Sequence, residues 1–174
     1  MGAVRWALAA PTSTQPRLAV QTRPGEPGQT CVQLVDRRAP TAVLAERCSF
    51  GVVWTASARP APDGRALALA VQPLPAWTEL WVFRAGAAGW TVDVLPPGSS
   101  DPTLGYVEFA GWVPGGQKLL VAREARIEGR LRRSFEVLSL ETLNTEKQAA
   151  APQWLTLFGQ WQDARWKQQT VSLR

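Results

Sequence analysis

The 174-residue chain contains no histidine. Serine–histidine and cysteine–histidine nucleophiles, histidine-ligated metals and the usual general base at neutral pH are therefore excluded. Two cysteines are too few for a structural zinc site. No phosphate-cradling loop or nucleophile elbow occurs either. No cofactor, no metal and no catalytic residue is assigned. Acid–base chemistry would have to come from carboxylates alone, with Glu108, Glu124, Asp63 and Asp93 as the candidates. Asp63 falls in a Pro-Asp-Gly turn and Asp93 in an alternating strand, so both read as structural. Glu108 stands between Val107 and Phe109 and is the acid best placed to face a ligand. The competing reading pairs it with Arg123 across a hairpin. Glu124 and Arg126, toward the tip of that hairpin, carry the same two readings.

The indoles divide in the same way. Trp54, Trp81, Trp90 and Trp112 stand at strand spacing among other apolar residues and are expected to pack. Trp77 follows Pro73-Leu74-Pro75-Ala76 in an expected loop, and Trp161 and Trp166 flank Gln162 and Asp163. Those three offer ring faces to a sugar or a peptide, against the alternative that they too only pack.

The thiols Cys31 and Cys48 lie on two expected strands, Thr30 to Asp36 and Thr41 to Cys48, joined through Arg37-Arg38-Ala39-Pro40. Pairing Asp36 with Val43 places the two cysteines directly opposite one another, which predicts a disulfide. Two buried free thiols are the alternative. A disulfide would imply an oxidising compartment, such as the periplasm or cell envelope; a cytoplasmic address is the alternative.

The elements that position these residues are short apolar runs separated by glycine and proline, fourteen of each. Candidate strands run over Val4 to Ala10, Arg17 to Arg23, Thr30 to Asp36 and Thr41 to Cys48, then from Val52 through Trp54. Arg65 to Gln72 alternates Leu67, Leu69 and Val71 with alanines and is apolar on both faces, as suits a strand buried between packed sheets. Glu79 to Arg84, Trp90 to Leu95, Val107 to Trp112, Lys118 to Arg123 and Ser134 to Leu140 follow. Glu141 to Gln148 reads as an outer strand or a helical turn. Beyond Pro152, an apolar residue every three or four suits an amphipathic helix, and Thr170 to Leu173 a last strand.

These runs repeat. Second strands centre on Leu18, Leu67 and Leu119, 49 and 52 residues apart. A period of ~50 residues built from four short strands is the pattern of β-propeller blades. The expected fold is all-β: about three antiparallel four-stranded propeller-like blades in one domain over 1–174. The units cover about 4–50, 51–100 and 104–150, with a tail over 152–174. Three units fall short of the ~4–8 blades of a closed ring, so a partial or open propeller is expected.

The segment GWVPGGQKLLVAREA followed by RSFEVLSLETL resembles the blade repeat of bacterial TolB-like and WD-repeat-like propellers, closest to uncharacterised propeller proteins of betaproteobacteria. Pro62-Asp63-Gly64 keeps the aspartate of that repeat's turn, whereas Pro114-Gly115-Gly116 puts glycine there. The resemblance implies a structural repeat shared by proteins with unrelated activities.

A net charge of +5 comes largely from arginines interleaved with glutamates, which argues against a nucleic-acid partner. No run reaches the ~18 apolar residues of a membrane-spanning helix. Near the N-terminus, Trp6 to Ala10 is shorter than the ~7–15-residue core of a secretion signal. The expected function is a non-catalytic interaction or scaffold module, binding a protein partner or a second copy. The alternative is a carbohydrate or small-ligand module using the loop tryptophans with Glu108 or Arg126. Arg123 and Glu124 complete the candidate binding set.

Overall fold

The computed structural model describes residues 15–98 and 104–172, with side chains as far as Gln168. The strand expected over Val4 to Ala10 lies outside the described residues. The described strands form three antiparallel meanders. The first comprises β1 (Leu18–Pro24), β2 (Thr30–Asp36) and β3 (Ala39–Ser49). The second comprises β4 (Val52–Pro60), β5 (Ala66–Leu74), β6 (Trp77–Gly86) and β7 (Gly89–Leu95). The third comprises β8 (Gly105–Val113), β9 (Lys118–Ile127), β10 (Arg130–Ser139) and β11 (Thr145–Ala149). The fold is mostly β and antiparallel, and the sheets do not close into a ring.

The first meander is a separate three-stranded sheet. The other two share an eight-stranded sheet ordered β11-β10-β9-β8-β6-β5-β4, with β7 on β6. Among the described residues, the strand pairing that joins them is two parallel pairs, Trp77 with Gly105 and Thr78 with Tyr106. On β5, Leu67, Leu69 and Val71 pack with Val32 and Leu34 of the first meander and with Trp81 and Phe83. The intervening Ala66 and Ala68 pack with Val107, Leu119 and Val121 of the third. The middle meander is therefore buried on both faces, as the unbroken apolar run of β5 requires.

The turns explain the boundaries. Asp63 Oδ1 accepts from the Arg65 amide at 3.0 Å, and Gly64 takes a φ of +75°. Gly116, φ +73°, lies directly against the Asp63 carboxylate and leaves room for it, whereas Gly115, the residue standing where the repeat has aspartate, faces open space. At the β9–β10 tip Glu128 and Gly129 both take positive φ, 51° and 76°, a turn that matches strand twist and carries the hairpin beyond its expected ends.

The tail from Pro152 folds as a 3-10 turn and two helices, α1 (Thr156–Trp161) and α2 (Ala164–Ser172). The last strand expected at Thr170 to Leu173 is corrected. The backbone through Ser172 continues α2, since extending a formed helix costs less than starting a new element. Leu155, Phe158 and Trp166 cover Ala110, Leu120, Phe135 and Val137 on the outer face of the third meander. Phe135, Phe158 and Trp166 meet edge to face with centroids 5.8–6.2 Å apart.

A cleft between the second and third meanders

Glu108 lies on β8 opposite Ala122 and on the same side of the strand as Ala110, beneath the helical tail. The tail is pinned there because the Asp163 amide donates to the Ala110 carbonyl at 2.6 Å. Gly111 offers no side chain to obstruct the approach of Trp161, Gln162 and Asp163. Trp166 then reaches back, and its Nε1 donates to Glu108 Oε2 at 2.9 Å. Two sequence candidates 58 residues apart are thus brought into contact. Burial raises Glu108 above the ordinary carboxylate range, opposed by the Trp166 hydrogen bond.

Glu108 and Trp166 line a cleft of about 330 Å³ whose other wall is β4. Between Trp54 and Arg59 the β4–β5 ladder breaks. Ser57 bridges the break, its hydroxyl donating to the Trp54 carbonyl at 2.6 Å and accepting from the Ala70 amide at 2.8 Å. Arg59 Nη1 donates to the carbonyls of Ala56 and Ala58, both at 2.9 Å. Burial first, then the nearby Arg165, lowers the Arg59 pKa, with Asp163 opposing. Trp54, expected to pack between blades, is instead 51% exposed at the mouth of the cleft. Its cross-strand partner is only Ala70, and its Nε1 donates to Gln72 Oε1 at 3.1 Å. Sequence reasoning missed Trp54 and Arg59 because the ladder break that turns them toward Glu108 has no local signal.

The remaining candidates are dispersed. Arg123 does not pair with Glu108. It lies on the opposite face of the third meander, 3.1 Å from the buried Glu136, and donates to the Pro96 carbonyl at 2.8 Å. Glu124 accepts from the Tyr106 hydroxyl and, at 3.0 Å, from Arg133. Burial raises Glu124, but these two hydrogen bonds outweigh it and hold the carboxyl below its usual value. Burial and then Glu124 push the Tyr106 hydroxyl up to about 12. Arg126 is exposed near the hairpin tip, its amide donating to the Leu104 carbonyl. Trp77, expected in a loop, opens β6 and packs against Gly105 at the parallel joint, where the ladder claims it as a strand residue. Trp161 ends α1 and is 44% exposed, outside the cleft lining. Trp166 is buried, with 6% exposure, so only its edge reaches the cleft.

Cys31 and Cys48 are paired across β2 and β3 and form a disulfide, with Cα atoms 3.9 Å apart. The expected turn is corrected: Asp36 pairs with Ala39, not Val43, and the turn is Arg37-Arg38. Irregularities after Leu34 absorb the difference and keep the register at the cysteines. Comparison with protein-family models, curated proteins and solved structures finds no match for this chain.

Proposed function

We propose that the chain is a non-catalytic protein-interaction module of β-propeller type, its three meanders serving as blades and the open edge of β4 as the docking surface. The observation that carries this reading is an apolar stripe at that edge. Phe50, Val52, Trp54 and Leu74 are 66%, 52%, 51% and 44% exposed. Val52 and Trp54 stand two apart on β4, and Phe50 lies in the bend just before it. Val52 pairs with Gln72, two residues before Leu74 on β5. Exposed apolar surface beside a strand edge that no described strand pairs is what a partner strand covers.

At the ends of the stack the described residues expose single indoles of the tail, Trp154 and Trp161, and no stripe along a strand edge. The helical tail covers one end. On the other, Arg23, Glu46, Gln33 and Gln21 form a hydrogen-bonded polar layer beside the disulfide. Two of the four candidate carboxylates, Asp93 and Glu124, are held in ion pairs, which supports the non-catalytic part. The Asp63 and Gly116 turns, placed where the propeller repeat has its turn, support the blade assignment. The disulfide supports an oxidising compartment such as the periplasm.

The partner inferred is a protein segment able to pair along β4, and photo-crosslinking tests this. A benzophenone residue at Val52 is expected to trap a discrete adduct that a probe at the exposed Gln148 does not. Adducts at neither site, or equally at both, would overturn the reading. An adduct of twice the chain mass identifies the partner as a second copy.

A further inference from the structure

We propose that the cleft between β4 and β8 is a binding site for a saccharide ring, laid on Trp54 and hydrogen-bonded by Glu108 and Arg59. This goes beyond the docking of a protein at the β4 edge and does not depend on it; the two share Trp54, so a docked protein segment and a bound sugar would compete for that ring. Trp54 supplies the platform. Its ring is half exposed, it is held through Nε1 by Gln72, and the alanine opposite leaves it uncovered. A platform already fixed in place loses little side-chain entropy when a ligand covers it.

The polar groups choose the ligand. Glu108 Oε2 is tied to Trp166, while Oε1 takes no hydrogen bond from the described residues. Arg59 spends Nη1 on two carbonyls, while Nε and Nη2 make no hydrogen bond to the described residues. The cleft therefore presents an acceptor and donors together, against apolar walls from Leu80 and Phe109.

An apolar ligand would bury both groups without partners, which is costly. An anion would satisfy Arg59 and the nearby Arg165 but meet Glu108 and Asp163, and a simple cation would meet the two arginines. Sugar hydroxyls donate to Glu108 and accept from Arg59 at once, and the C–H face of the ring covers the indole. A cleft of about 330 Å³ is at the small end of ligand sites, which fits one or two rings.

The test is titration of the intact chain with glucose, galactose, mannose, N-acetylglucosamine, cellobiose and chitobiose, read by tryptophan fluorescence and calorimetry. At least one is expected to bind saturably. Trp54→Ala and Glu108→Gln are each expected to weaken it at least about tenfold, the fold-change of losing one good contact. Glu108→Gln keeps an acceptor for Trp166, so unchanged thermal unfolding shows that its loss is local. Phe50→Asp, on the docking stripe outside the cleft lining, is expected to bind sugar as the parent does. No saturable sugar binding, or binding unchanged in both cleft variants, overturns the proposal. So does binding of phenylalanine, titrated as a zwitterion control, without any sugar.

Discussion

Two carboxylates illustrate how opposite surroundings set opposite pH responses. Glu108 is raised by burial, so the folded state holds its proton more tightly than the unfolded chain does. Its contribution is favourable below the ordinary value of 4.5 and is lost as pH rises through the folded value. Glu108→Gln removes the buried charge and keeps the acceptor. Its urea midpoint is therefore expected above the parent's at pH 7 and equal to it at pH 4; a lower midpoint at pH 7 would contradict this account. Glu46 is the reverse case. Hydrogen bonds from Arg23 and Gln33 hold it at about 2, so its contribution is present above 4.5 and lost as pH falls toward 2. Glu46→Gln is expected to flatten the acid limb of stability between those values while leaving the neutral limb's shape unchanged. The turn role of Asp63 was legible in Pro-Asp-Gly because its partner is two residues away. Glu108's partner was not, since Trp166 arrives only after the whole tail has docked. Trp54 misled for a related reason: strand spacing gives the face, but not where the facing layer ends.

At the scale of elements, the helical tail carries the sharpest test. It does for the third meander what another sheet would, burying Ala110, Leu120, Ala122, Phe135 and Val137. Phe158 is fully buried at the centre of that contact, so Phe158→Ala is expected to cost about 3–5 kcal/mol in denaturant unfolding. Gly111→Ala sets a methyl against the Trp161 carbonyl and 3.2 Å from the Asp163 amide. It is expected to cost about 1–3 kcal/mol as overpacking and to free the tail for proteolysis near Gln162. A chain ending at Ala151 is expected to bind a hydrophobic dye and to associate in light scattering, which the intact chain does not match. A dye-silent, monomeric truncation would show the face to be covered otherwise. Helix in the tail was legible from apolar spacing, as were the strand centres and the two-faced burial of β5. The break at Gln162 and Asp163 was not, because it is imposed by the β8 carbonyl that the Asp163 amide meets.

For the whole molecule, the question is whether the layers unfold together. Among the described residues the first meander shares no strand pairing with the rest, and it is coupled through the core of Leu18, Val32 and Leu34 against Leu67, Leu69, Trp81 and Phe83. That core is fully buried and lies against the strand that also faces the third meander, which favours one cooperative transition. The Cys31–Cys48 bond is the means of testing it. It closes a loop with a sequence separation of 17, worth about 3 kcal/mol in the chain-entropy account. If the layers unfold as one, replacing both cysteines with serine lowers the single melting transition by about 6–12 °C, at the ~2–4 °C per kcal/mol of a domain this size. Fluorescence of Trp81 at the first interface and near-ultraviolet dichroism of the Phe135, Phe158 and Trp166 cluster at the far end would shift together. If the first meander were an independent unit, the serine variant would show an early transition in fluorescence alone, with the far aromatic cluster melting where it does in the parent. Coincident shifts at both ends are the expected result. The separate outcome would confine the disulfide's effect to the three strands it ties.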